Sequence, residues 1–171
     1  FKNAIFLRRD TIRKYAIEES LKINASEQDN FNLEFGVFKG VSTNFFSKFV
    51  DKLYAFDSFE GLREDWSGWN LERGHFDLKN NLPKLNKNVE IVKGWVQDTL
   101  DSFLNKHNPK IKFVHMDVDT YESTAFILKK IKPNLIKGAI IIFDELYNFP
   151  AWDVGEYKAL RETFNENEYT F

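Results

Sequence analysis

Glu34-Phe35-Gly36-Val37-Phe38-Lys39-Gly40-Val41-Ser42-Thr43 is the stretch on which the fold turns. An acid closes a short apolar run, two glycines follow, and Ser42-Thr43 opens a stretch with helical spacing. That order describes a strand, a tight turn where backbone can approach a ligand, and the start of a helix. A dinucleotide fingerprint would read Gly-x-Gly-x-x-Gly. Here Val37, Phe38 and Lys39 fill the space a pyrophosphate needs, so a nucleoside ligand without a diphosphate fits better.

Working outward, the same pattern recurs. Apolar runs at 32–35, 52–56, 89–92, 112–116 and 139–143 are continuous rather than alternating, as expected for strands covered on both faces. Helical spacing is expected over 11–23, 41–50, 98–107 and 121–131, the last ending before Pro133. Strands alternating with helices predict an open, mostly parallel α/β sheet. Residues 168–171 resemble the start of a further strand, so a C-terminal strand pair is expected to be incomplete. The whole chain, 1–171, is expected to be one domain. Residues 1–30 form an N-terminal helical cap, and the long irregular stretch 58–88 forms a lid held in order by Trp66, Trp69 and Phe76.

Composition removes several function classes. The chain has 171 residues, 43% hydrophobic and 29% charged, enough for a core. Lys plus Arg is 24 against 26 for Asp plus Glu, without a run of either sign, which argues against binding a nucleic-acid backbone. Cysteine is absent, which excludes disulfides, thiolate metal sites and a thiol nucleophile. The longest apolar run, 139–143, is far below the roughly 20 residues of a membrane span, and no signal peptide is recognisable. A cytoplasmic protein with no nucleic-acid or membrane partner is expected, with a homo-oligomer admitted.

Four groups of residues carry chemistry. Beyond the Gly36/Gly40 turn, Asp57 closes the second strand at about the 20-residue spacing where an acid accepts hydrogen bonds from ribose hydroxyls. After the third strand, Gln97 could reach an adenine edge and Trp95 could flank its ring, while Asp98 could equally cap the next helix. The strongest group is Asp117-Val118-Asp119 with Asp144-Glu145. Both lie where the fourth and fifth strands end, the edge at which open α/β sheets bind ligands. Acids from adjacent strand ends can converge on one hard cation and leave positions for substrate oxygens. A purely structural role for Asp119, as a helix cap, is the alternative. His115 lies inside a strand and is expected to be a satisfied core residue.

These strings together resemble class I S-adenosylmethionine-dependent methyltransferases, most closely the macrocin O-methyltransferase (TylF-type) group. The resemblance covers roughly residues 9–159. It rests on 34–42, 56–62, 94–100, 117–124 and 143–145. It implies a Rossmann-like sheet ordered 3-2-1-4-5 with helices on both faces. It also implies that Glu34, Gly36, Gly40 and Ser42 line the methionine part of S-adenosyl-L-methionine, that Asp57 holds its ribose, and that Gln97 and Trp95 neighbour the adenine. Metal-dependent relatives would match Asp117, Asp144 and Glu145 to a Mg²⁺ site, with Glu145 standing where an aspartate is usual. The expected reaction is methyl transfer to a hydroxyl of a small molecule such as a sugar, Asp117 acting as ligand and base. Arg63, Trp66 and the N-terminal helix are candidates to cover the acceptor. A nicotinamide-dependent oxidoreductase and a non-catalytic nucleoside-binding domain are the competing readings.

Overall fold

The computed structural model describes residues 7–23, 30–66, 68–79 and 81–171. In chain order these are α1 (Arg9–Leu21), β1 (Asn30–Phe35), α2 (Val41–Phe46), β2 (Leu53–Asp57), β3 (Val89–Lys93), α3 (Val96–His107), β4 (Lys110–Met116), α4 (Tyr121–Ile131), β5 (Leu135–Phe143) and α5 (Glu156–Thr163). The strands form one sheet ordered β3-β2-β1-β4-β5, with every neighbouring pair parallel. This is the expected order, with β1 at the centre. The 24–29 part of the expected helical cap lies outside the described residues, as do residues 1–6.

Side-chain alternation explains the layers. Leu33, Phe35, Tyr54, Phe56, Val114 and Met116 point to one face and pack with Leu100, Phe103, Ile127, Leu128 and Ile131 of α3 and α4. Leu53 and Phe113 point to the other face and pack with Ala16 and Ile17 of α1 and Phe46 of α2. Burial on both faces is what makes β1, β2 and β4 continuous apolar runs. The edge strands β3 and β5 are more exposed.

Some boundaries differ from the sequence reading. α2 stops at Phe46 and not at residue 50, because residues 47–49 tighten into a turn. Asn88 locks that turn by donating to the Ser47 and Val50 carbonyls at 2.7 and 2.8 Å. β5 begins at Leu135, earlier than residue 139, after a 3-10 turn over Lys132–Asn134. α5 is not among the helices expected from the sequence, although it is amphipathic, with Ala159 and Leu160 buried. Residues 168–171 are not a strand, and β5 is the sheet edge among the described residues.

The described residues of the 58–88 segment are held both by bonds within the segment and by bonds to the rest of the domain, such as those of Asn86 to Asn44 and Ser47. Leu62 N–H donates to the His75 carbonyl and Gly74 N–H to the Leu62 carbonyl, each at 2.8 Å. Trp66 and Leu71 form a bridge. Phe59, Leu78 and Leu85 seat the segment on Val37 and Ala55.

Candidate active site

All the strands end on one side, and there the turns after β1, β2, β3, β4 and β5 surround a cavity of about 460 Å³. Such a crevice at the carboxyl edge is where open α/β sheets take ligands. Gly36 makes it possible. A Cβ at that position would sit 1.7 Å from the Asp117 carbonyl oxygen, and its φ of +89° is left-handed. Only glycine lets the ends of β1 and β4 approach so closely.

Of the expected cofactor residues, Gly36, Ser42, Asp57, Trp95 and Gln97 line the cavity. Asp57 spends its carboxylate on the turn beside it. Oδ2 accepts from Val37 N–H at 2.7 Å and Phe38 N–H at 2.8 Å, and Oδ1 accepts from Phe59 N–H at 2.7 Å. It therefore shapes the ligand-facing loop as well as facing the cavity. Glu34 and Gly40 are not on the cavity wall. Gly40 has a φ of +74° and faces the Leu85 side chain. Glu34 is fully buried behind the wall, where register pairs it with His115.

That pairing begins a buried ionic chain. His115 Nδ1 donates to Glu34 Oε1 at 2.9 Å, and its Nε2 lies 3.9 Å from Asp144 Oδ1, an ion-pair distance. Arg13 of α1, only 5% exposed, donates to Asp144 Oδ1 at 3.0 Å. Burial alone would lower the His115 pKa, but the Asp144 and Glu34 carboxylates outweigh it and raise it to about 9. Burial opposes ionisation of Asp144 as well, yet His115 and Arg13 hold its carboxyl well below the usual range. The expected core role of His115 is thus an ionic one. Arg13 gave no signal in the sequence beyond its place on an amphipathic helix.

Asp119 and Glu145 lie among carboxylates instead of cations. Carboxylate oxygens of Asp117, Asp119 and Glu145 all lie within 4.8 Å of one another, and a second group joins His115, Asp117 and Asp144. The expected metal set is therefore divided, with Asp117 common to both groups. Burial, then neighbouring carboxylates, pushes Asp119 up to about 8 and Glu145 up to about 10. Burial raises Asp117 to about 6 against the pull of His115. Glu145 Oε2 is buried without a hydrogen-bond partner. Glu156, fully buried at the start of α5, accepts from the Glu145 N–H at 3.1 Å and is itself pushed up by burial.

Asp119 is the acid the sequence reading left outside its metal set. Its φ is +65°, an unusual conformation for a non-glycine residue and one often found at functional sites. Its side chain does not cap α4, whose N-cap is Thr120. The Asp-x-Asp spacing was the available signal. Closely spaced acids with an unpartnered oxygen and mutually raised pKa values suit a hard divalent cation, which would relieve their repulsion.

A parallel sheet of this order, with a glycine turn after β1 and acids at the ends of β2, β4 and β5, has the Rossmann-like methyltransferase architecture. Residues 33–146 match the model of a family described as a methyltransferase domain, and the chain belongs to that family. Among curated proteins none matches the chain in sequence. Two solved structures share its fold. One is described as the crystal structure of CalS11, calicheamicin methyltransferase, with a TM-score of 0.79. The other is the apo structure of CalS11, described as TDP-rhamnose 3'-O-methyltransferase of calicheamicin biosynthesis, with a TM-score of 0.68. Each is 23% identical, over 96% of this chain and 75% of the other. The described residues contain no helix long and apolar enough to cross a membrane.

Proposed function

We propose that the protein methylates a hydroxyl of a sugar or glycosylated small molecule, using S-adenosyl-L-methionine and a divalent cation such as Mg²⁺. One observation carries this reading: the glycine turn with Asp57, Trp95 and Gln97, and the acids of β4 and β5, face the same cavity. The sugar acceptor is supported by the description of CalS11 as a TDP-rhamnose 3'-O-methyltransferase.

Bound S-adenosylmethionine supplies an electrophilic methyl group, and a divalent cation supplies Lewis acidity to the acceptor oxygen. Asp117, Asp144 and Glu145 are the residues the family resemblance assigns to the cation, and the local geometry adds Asp119. Asp117 would take the hydroxyl proton onto its carboxylate as the acceptor oxygen accepts the methyl group from the sulfonium sulfur, leaving S-adenosylhomocysteine. Without a cation, burial pushes the Asp117 carboxyl up to about 6, so it is ionised at neutral pH and free to accept a proton. The Gly36 turn lets backbone approach the methionine part, and Asp57 holds that turn while facing the ribose. Leu62, Trp66 and Phe76 line the cavity with apolar surface. Holding methyl and oxygen about 3 Å apart supplies much of the remaining rate.

Calorimetry with S-adenosylhomocysteine against NAD, followed by transfer of labelled methyl to a panel of sugars and nucleotide sugars, tests this. Binding of the first ligand only, with a chelator-sensitive labelled product, is expected. Binding of NAD alone would turn the assignment to an oxidoreductase. Binding without turnover on any hydroxyl would leave a nucleoside-binding domain.

A further inference from the structure

The 61–66 strap of the long segment crosses the cavity between Trp95 and the start of α4. Its backbone bonds stay inside its own segment, with Leu62 tied to His75 and Gly74 and Trp66 tied to Leu71. Among the described residues, the hydrogen bonds that join the strap to the body of the domain both end on Glu64. Glu64 Oε1 accepts from Thr120 Oγ1 and from Ser123 Oγ, the latter at 3.0 Å. Both hydroxyls are buried, and both residues line the cavity. Ser123 Oγ in turn accepts from Gln97 Nε2 at 3.4 Å. Next along the strap, the Arg63 guanidinium lies over the Trp95 ring at 5.8 Å.

We infer that Glu64 is a latch that holds the strap over the adenine end of the cofactor site and orients Gln97 through Ser123. This rests on the cofactor reading above, in which Gln97 and Trp95 flank the adenine. The strap therefore covers the cofactor's exit, whereas the sequence reading made it a cover for the acceptor. Two hydroxyl donors on one carboxylate oxygen make a strong closure, since hydrogen bonds to charged groups exceed neutral ones. The closure is also local. Breaking it loosens a short strap, while the buried Phe59 outside the strap still seats the segment on Val37 and Ala55. Segments of this kind open at a small fraction of the global unfolding free energy. Glu64 is not on the cavity wall and acts through Thr120 and Ser123, so it is a positioning residue.

The test compares wild type with Glu64→Ala, Glu64→Gln and the double variant Thr120→Val/Ser123→Ala. Amide hydrogen exchange is read on the free chain, and S-adenosylhomocysteine release is followed by tryptophan fluorescence, since Trp66 and Trp95 line the cavity. In Glu64→Ala, exchange over 61–66 and 68–75 and ligand release are both expected to rise on the order of tenfold or more, with the thermal midpoint lowered by only about 2–4 °C. The double variant should behave alike by removing the donors. Glu64→Gln keeps an acceptor oxygen and should restore most of the protection. Wild-type exchange and release in both Glu64→Ala and the double variant overturn the latch. So does faster exchange spread over the whole chain, which would make Glu64 a general stabiliser. A wild-type chain that binds no S-adenosylhomocysteine overturns the cofactor reading and its adenine cover, while the exchange arm still decides whether Glu64 closes the strap.

Discussion

Gly36 and Asp117 meet backbone to backbone: a side chain on the first would collide with the carbonyl oxygen of the second, 1.7 Å from its Cβ. Around that contact Phe35 O accepts from Asp117 N–H and Phe56 O from Gly36 N–H, both at 2.9 Å. The three central strand ends are thereby drawn together, and the turn beside Asp57 is set against the acids of β4.

Gly36→Ala should be among the most damaging small changes to the site. It adds a steric collision to a left-handed φ, and strain of this kind costs of order 1–3 kcal/mol before the collision is counted. Urea unfolding and S-adenosylhomocysteine calorimetry should show lowered stability and lost binding together. Wild-type binding in this variant would mean that the strand ends can separate without harm.

Asp57→Ala removes the acceptor of three backbone N–H groups at once. Hydrogen bonds to a charged group are worth about 1.5–3 kcal/mol each. The variant is therefore expected to lose stability and cofactor affinity, whereas a residue that only met the ribose would lose affinity alone. Asp57→Asn retains one oxygen and should fall between. Unaltered stability in the alanine variant contradicts this account of the turn.

Among the acids, Asp117→Asn, Asp119→Asn and Glu145→Gln should each weaken Mn²⁺ binding, measured by the paramagnetic signal of free ion. Asp117→Asn should also cost turnover about 10²–10⁴-fold, the usual scale for a general base. Chelator should stop the wild-type reaction and Mg²⁺ restore it. Cofactor affinity should barely change, since the acids serve the acceptor. Mn²⁺ binding that is equal in all three variants would show the cluster to be structural.

Stability should follow a dome against pH. His115 is raised from 6.5 to about 9, so its ionic contribution is complete below about pH 6.5 and lost as pH climbs through 9. Asp119 and Glu145, raised to about 8 and about 10 by burial and neighbouring carboxylates, favour folding fully only below their ordinary values of 3.8 and 4.5, and that contribution is lost as pH rises from there through 8 and 10. Asp144 acts in the opposite sense. His115 and Arg13 hold its carboxyl below its ordinary value of 3.8, so its contribution is present above that pH and fades in acid. Urea midpoints should therefore peak in mildly acidic solution and fall towards pH 9, and Mg²⁺ should flatten the alkaline side. Midpoints that rise from pH 6.5 to 9 would contradict the charge assignment.

The sequence by itself determined the order of strands and helices, the glycine turn after β1 and the acids closing β2, β4 and β5. These are local matters: continuous apolar runs mark strands buried on both faces, and glycine is needed where φ turns positive. Tertiary structure decided which of those side chains face one another. Glu34 reads as a ligand-turn acid, yet parallel register sets it beside His115 behind the cavity wall. Asp144 reads as a partner of Glu145, yet α1 brings Arg13 to it from 131 positions away. Asp119 joins Asp117 and Glu145 through a left-handed residue that no spacing announces. Position along the chain specifies where a carboxylate enters the sheet edge. Its partner is set by strand register and helix docking, because a charge removed from water is stable only beside whatever counter-charge the fold brings to it.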